Sequence, residues 1–320
     1  MVDAALKRYV LRRVAAFAVT LLFVSALVFF VVRVLPGDPA ELILGVERNP
    51  ETLERLRRSL GLDRPLAVQY VEWLAGAVRG DLGTSIQYDV PVGRLIVSRL
   101  PVTLPLTLLA AAFMIVAAVP LGVYAATRYR RTADYLAMVV SQLGIAVPSF
   151  WSGLLLILLF SVHLGWFRSG GFEGWTSGLW PGVKSLLLPA LALGLFQAAV
   201  LVRATRSAVL DVMREDYVRT ARAKGLSERR VIALHTLRNA LIPIVTVVGL
   251  QLGQLVAGSI VLESVFALPG LGRLALGAIN ARDLPVVQGV TLFVAGSIVF
   301  INFAVDLAYV LVDPRIGYEP

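Results

Sequence analysis

The stretch from Val102 to Thr127, VTLPLTLLAAAFMIVAAVPLGVYAAT, contains no Asp, Glu, Lys or Arg. A helix rises about 1.5 Å per residue and needs about 20 apolar residues to cross roughly 30 Å of hydrocarbon, so this run is long enough to span a bilayer. Outward from it lie five more uncharged apolar runs, Val14–Val32, Tyr135–Trp166, Ser185–Val202, Asn239–Leu262 and Leu284–Val305. One charge at the bilayer centre costs about 2.5–3.5 kcal/mol on insertion scales, which gives six charge-free runs their weight. They predict an all-α integral membrane protein with six transmembrane helices. Tyr135–Trp166 is overlong, which leaves its end open. Pro105, Pro120, Pro148 and Pro189 lie in or at the start of spans and predict kinks.

Composition agrees. The 320 residues are 58% hydrophobic and 16% charged, with a mean hydropathy of +0.78, against roughly 45–50% and 25% in soluble domains. No Cys is present, and His163 and His235 are far apart, so disulfides, thiolate chemistry and a metal site are not expected. The excess of 30 Lys+Arg over 21 Asp+Glu would suggest nucleic acid in a soluble chain. Placement argues otherwise. With the N-terminus inside, segments 1–13, 128–134, 203–238 and 306–320 hold 17 Lys+Arg and 9 Asp+Glu, so the excess lies on the cytoplasmic side. Both termini are therefore expected in the cytoplasm, with no nucleic-acid partner. Lys7, Arg8, Arg12 and Arg13 precede the first run, which is too long for a cleaved signal and is expected to be a retained anchor.

Residues 1–34 then form the N-terminus and first helix, 35–100 an extracytoplasmic loop domain, 101–312 a five-helix domain, and 313–320 a tail. The loop domain carries helix-like stretches around Pro50–Leu60 and Leu66–Ala77, split by Gly61-Leu62-Asp63-Arg64-Pro65. It reads as a solvated cap or as a tolerated insertion.

The cytoplasmic segment 203–238 is the most informative. It contains Glu215-Asp216-Tyr217-Val218-Arg219-Thr220-Ala221-Arg222-Ala223-Lys224-Gly225-Leu226-Ser227-Glu228. Thr220, Ala221 and Ala223 suggest a short helix with small residues on one side, ended by Gly225 and restarted by a Ser227 N-cap. Small side chains let a partner approach closely, and Arg219, Arg222 and Lys224 offer charge for docking. The alternative is a basic loop that only obeys the positive-inside rule.

This stretch resembles the coupling motif, Glu-Ala-Ala followed by Gly, of binding-protein-dependent ABC importer permeases. It is most similar to the version in the dipeptide/oligopeptide/nickel permease family, first-permease type. Arg219-Thr220-Ala221 stands where the general pattern has Glu-Ala-Ala. Seven further stretches in order extend the resemblance along nearly the whole chain: Pro36-Gly37-Asp38-Pro39, Leu60-Gly61-Leu62-Asp63, Gly80-Asp81-Leu82-Gly83 with Ser85, Leu100-Pro101-Val102-Thr103-Leu104, Val265-Phe266 with Pro269-Gly270-Leu271-Gly272, Arg282-Asp283 with Pro285-Val286-Val287-Gln288-Gly289, and Asp313-Pro314-Arg315. The resemblance implies a type-I importer permease in the inner membrane of a prokaryote. It implies a second homologous permease, two cytoplasmic ATPase subunits, an extracytoplasmic solute-binding protein, and peptides as solute, with nickel, glutathione or oligosaccharide as alternatives. Asp216, Tyr217, Arg219, Thr220, Ala221, Arg222, Ala223, Lys224 and Gly225 would then contact an ATPase. ATP and Mg would sit on that partner, with no cofactor on this chain.

Within the membrane the polar residues are Ser141, Gln142, Gln197, Gln251, Gln254 and Asn302, which serve either as interhelical hydrogen-bond glue or as pathway lining. Glu263 and Asp306 fall at helix ends, so the acidic relay of a proton-coupled carrier is missing. Gly249 and Gly253 form a Gly-x-x-x-Gly pair that favours close packing. Phe266 and Leu268 lie in an apolar loop between two spans, either packed under a cap or acting as a plug. No Gly-x-x-x-x-Gly-Lys-[Ser/Thr] loop occurs, so ATP would be bound elsewhere.

Overall fold

The structure is a computed structural model that describes residues 2–34, 49–59 and 61–312. Pro36-Gly37-Asp38-Pro39, Leu60 and Asp313-Pro314-Arg315 lie outside the described residues.

The chain forms α1 (Val2–Val34), α2 (Pro50–Ser59), α3 (Leu66–Val78), α4 (Val92–Thr127), α5 (Thr132–Ala146), α6 (Ser149–His163), α7 (Leu179–Met213), α8 (Asp216–Ala223), α9 (Glu228–Val265), α10 (Leu271–Asn280) and α11 (Leu284–Val312). Among the described residues, five helices, α1, α4, α7, α9 and α11, are long and apolar enough to cross a membrane, and α5 with α6 makes a sixth crossing if that pair is one span. This is the all-helical integral membrane class expected from the charge-free runs.

The overlong run Tyr135–Trp166 is two helices bent by 100°. The break follows from Pro148, which lacks an amide hydrogen and pushes Val147 out of helical conformation, to φ −92° and ψ 118°. Each of the other five runs is shorter than its helix. α4 begins ten residues before Val102, α7 continues past Val202 to Met213, and α9 begins at Glu228. Arg203 and Arg206 are good helix formers, so charge marks membrane depth without marking a helix end.

The α4–α7 pair is the centre of the core. Small residues bring the two helices together: a Cβ at Gly122 would lie 2.6 Å from Thr205 Cβ, and one at Gly194 would lie 2.7 Å from Phe113 Cδ1. Leu106, Ala110, Met114, Leu186, Leu193 and Leu201 fill the seam. α9 packs on α7 beside it, and Gly249 on α9 admits Val305 of α11, a close approach of the kind the Gly-x-x-x-Gly pair predicts. Leu136, Val139, Val140 and Leu143 on α5 are exposed, as suits a face turned to lipid.

In the region between α1 and α4, α2 is a solvated helix with Glu51–Arg55 and Glu54–Arg58 pairs. α3 instead leans on α1, where Phe29 packs edge-on against Tyr70 and beside Trp73, and the Ser25 and Tyr70 hydroxyls meet at 2.8 Å. The stretch before α4 is tied down further. Asp283, fully buried at the start of α11, accepts hydrogen bonds from the Ser85 hydroxyl, the Ile86 amide (3.2 Å) and the Gln87 amide (3.1 Å).

Candidate functional site

α8 and Gly225 stand at one end of the helix bundle. Gly225 sits at φ +80°, a left-handed position that closes the helix, and its amide bonds the Arg222 carbonyl at 2.9 Å. Ser227 takes the extended N-cap conformation before α9, but its hydroxyl makes no capping bond. After its first residues, Glu228–Arg230, α9 has a π-helical stretch, Val231–Thr236, and runs on as the membrane span. The expected helix, turn and second helix are therefore present, and the second helix is the membrane helix itself.

The face of α8 that looks inward holds Val218 and Ala221 against Val231. Ala221 is 6% exposed, so it does not share a free surface with Thr220 and Ala223, which are exposed. Tyr217 accepts a hydrogen bond from Asn239 Nδ2 at 2.6 Å and fixes α8 to α9. Arg222 is also engaged within the chain: its Nε and Nη2 donate to the two Glu228 oxygens at 3.1 and 2.8 Å. That pairing holds the Glu228 carboxyl below the usual carboxylate range and raises Arg222. The outward surface is left to Asp216, Arg219, Thr220, Ala223, Lys224 and Gly225, with Arg219 and Asp216 forming a solvated pair at 3.3 Å.

At the far end of the bundle, Phe266 is 2% exposed and Leu268 is fully buried. The structure thus shows the loop 266–272 packed, with the Phe266 carbonyl accepting from Gly171 N–H at 2.8 Å and the Phe266 ring beside Gly153 of α6. Beneath it Glu263 is fully buried and accepts from the Thr103 hydroxyl, the Gly272 amide (2.6 Å) and the Arg273 amide (3.4 Å). Thr103 Oγ1 in turn accepts from the Leu271 amide at 2.9 Å. A carboxylate at a helix N-terminus is met by unsatisfied amides and the positive end of the dipole, so Glu263 anchors α10 to α9 and α4. The sequence placed Glu263 at a helix end without this role. Its only signal was the spacing to Pro269-Gly270-Leu271-Gly272, where a chain reversal brings the amides back.

The polar membrane residues differ in exposure. Ser141 and Gln197 are buried, Gln251 is half-buried, and Gln254 and Asn302 are exposed. Gln142 accepts from Arg203 Nη1 at 3.1 Å. A cavity of about 600 Å³ between α4, α9 and α11 has apolar walls and includes none of the eight residues expected to line or plug a pathway. The hydroxyls of Thr107, Ser259 and Ser297 in its walls are spent on carbonyls of their own helices.

These elements define a polytopic helical membrane protein with an ordered helix-turn at one end and a packed loop at the other. The chain belongs to the family described as binding-protein-dependent transport system inner membrane component, which matches residues 118–318, and the N-terminal component of the same systems matches residues 6–107. It is 47% identical over 310 residues to a protein of Brucella suis biovar 1 named as a candidate peptide transport system permease, covering 97% of this chain and 99% of that one. It is 43% identical over 311 residues to the glutathione transport system permease protein GsiC of Escherichia coli K12, covering 97% and 99%. Among solved structures, an inward-facing form of the MetNI methionine ABC transporter has a chain that matches with a TM-score of 0.56 at 21% identity. That match covers 68% of this chain and 96% of the other, and shows a shared fold.

Proposed function

We propose that this chain is a membrane-spanning permease subunit of an ATP-driven importer in the inner membrane of a bacterium, with peptides as the solute class. The observation that carries the reading is family membership along nearly the whole length, with full-length relatives named for peptide and glutathione transport. Glutathione is itself peptide-like, so the two names point to one solute chemistry. The outward face of α8, with Asp216, Arg219, Thr220, Ala223 and Lys224, is the surface proposed to seat on a cytoplasmic ATPase subunit. ATP and Mg bind there, and hydrolysis belongs to that partner. A second, homologous permease completes the pathway and a solute-binding protein delivers from outside. Movement of the ATPases would carry α8 and open the pathway alternately to each side.

The orientation is tested by labelling. Native Cys is absent, so Thr52→Cys on α2 and Ser227→Cys after Gly225, both exposed positions, can be probed singly with an impermeant thiol reagent. Thr52→Cys is expected to react in intact cells, and Ser227→Cys only after the membrane is opened. The opposite pattern would invert the topology and remove α8 from the ATPase side.

A further inference from the structure

α8 is joined to the bundle along two routes. One is local: Tyr217 with Asn239, and Val218 and Ala221 with Val231, tie it to α9. The other runs back through Arg214 and Glu215 into the base of α7, and there it meets a side-chain cluster outside the α8 surface. Asp134, in the first turn of α5, is 2% exposed. Its Oδ1 accepts from Arg206 Nε, and its Oδ2 accepts from Arg206 Nη2 at 2.7 Å and from the Arg130 amide at 3.0 Å. The Arg206 guanidinium also lies 5.4 Å from the centre of the Tyr129 ring. One turn along α7, Arg203 holds Gln142 of α5, and on the adjoining face Thr205 is pressed against Gly122 of α4.

A bidentate guanidinium–carboxylate pair fixes angle as well as distance. Mere attachment could be achieved with apolar side chains, since a buried pair adds little stability over apolar packing of the same volume. The orientation it fixes is that of α5 relative to α7. α5 ends at the 100° break before α6, and α6 carries Gly153, whose backbone lies against the Phe266 ring of the packed outer loop. A contiguous series of packed elements thus leads from α8 through α7, the Asp134–Arg206 pair, α5 and α6 to the loop 266–272. Contiguity of this kind offers a route for mechanical coupling between ends, and direct measurement of coupling is what establishes it.

We propose that Asp134 and Arg206 are positioning residues for transport, forming the joint through which displacement of α8 is passed to α5 and α6. The proposal rests on the reading of the chain as an ATP-driven permease. The experiment uses the complete transporter, with partner permease, ATPases and binding protein, in proteoliposomes, and measures peptide taken up per ATP hydrolysed. Wild type is the first arm. If it shows no ATP-dependent uptake, the importer reading fails and the proposal falls with it. Given a coupled wild type, Asp134→Asn is expected to keep its partners and hydrolyse ATP while uptake per ATP falls about 5- to 150-fold, the range of coupling between sites in proteins. Arg206→Lys, which keeps the charge and loses the fork, is expected to lower it in the same direction. Adding Arg206→Gln to Asp134→Asn should lower it no further, because the joint is already broken. A purely structural pair would reduce the amount of complex and leave uptake per ATP unchanged. Unchanged uptake per ATP in both single variants, or failure of both to assemble, overturns the proposal.

Discussion

Ala223→Glu is expected to leave the chain inserted and stable while reducing ATP-driven uptake by about a hundredfold, the equivalent of roughly 3 kcal/mol of lost docking. Ala223 is exposed on α8, beside Thr220, and would face the ATPase. A glutamate there is free and solvated in the isolated chain. In the docked complex it brings an unpaired carboxylate into a contact that small side chains keep close, at a cost of several kcal/mol. Ala221→Glu provides the contrast. Ala221 packs against Val218 and Val231, so its replacement is expected to disrupt the helix-turn itself and lower stability even without partners. The check is thermal stability in detergent alongside retention of ATPase subunits. Ala223→Glu should melt with wild type and lose the ATPases, and Ala221→Glu should melt early. Wild-type uptake by Ala223→Glu would remove α8 from the interface.

Glu263→Ala is expected to loosen the far end by about 3 kcal/mol or more, because the Gly272 amide and the Thr103 hydroxyl lose a buried acceptor, at about 1–3 kcal/mol for each donor left unpaired. α10 and the loop 266–272 would separate from α4. In the assembled transporter the expected signature is ATP hydrolysis that no longer depends on solute-loaded binding protein, together with earlier melting. Glu263→Gln keeps one acceptor oxygen and should fall between. Melting of Glu263→Ala with wild type would show that α10 is held by its apolar contacts, Leu271, Leu274 and Ala278, alone.

The spans were legible because hydropathy is a local property: charge-free runs such as Val102–Thr127 report membrane depth directly. Helix ends were not, since α7 carries Arg203 and Arg206 on three turns past the apolar run with no breaker before Met213. Pro148 was visible as a kink, but its 100° angle depends on how α6 packs against α7. In the 216–225 segment the helix, turn and second helix followed from Gly225 and the small residues. Which small residues face out did not follow. Ala221 and Ala223 are equivalent in composition, and only the position of Val231, brought back by the turn, separates them. The pairs Thr103–Glu263, Ser85–Asp283 and Asp134–Arg206 join residues far apart in the chain, and one sequence holds no periodicity that links them.

The central claim is that this chain moves peptide only as part of an ATP-driven assembly, and reconstitution with subunits omitted one at a time tests it most directly. Uptake of labelled peptide should require this chain, its partner permease, the ATPases, ATP and the binding protein together. It should stop when the ATPases are left out. Peptide uptake by vesicles containing this chain alone, driven by an ion gradient without ATP, would contradict the account.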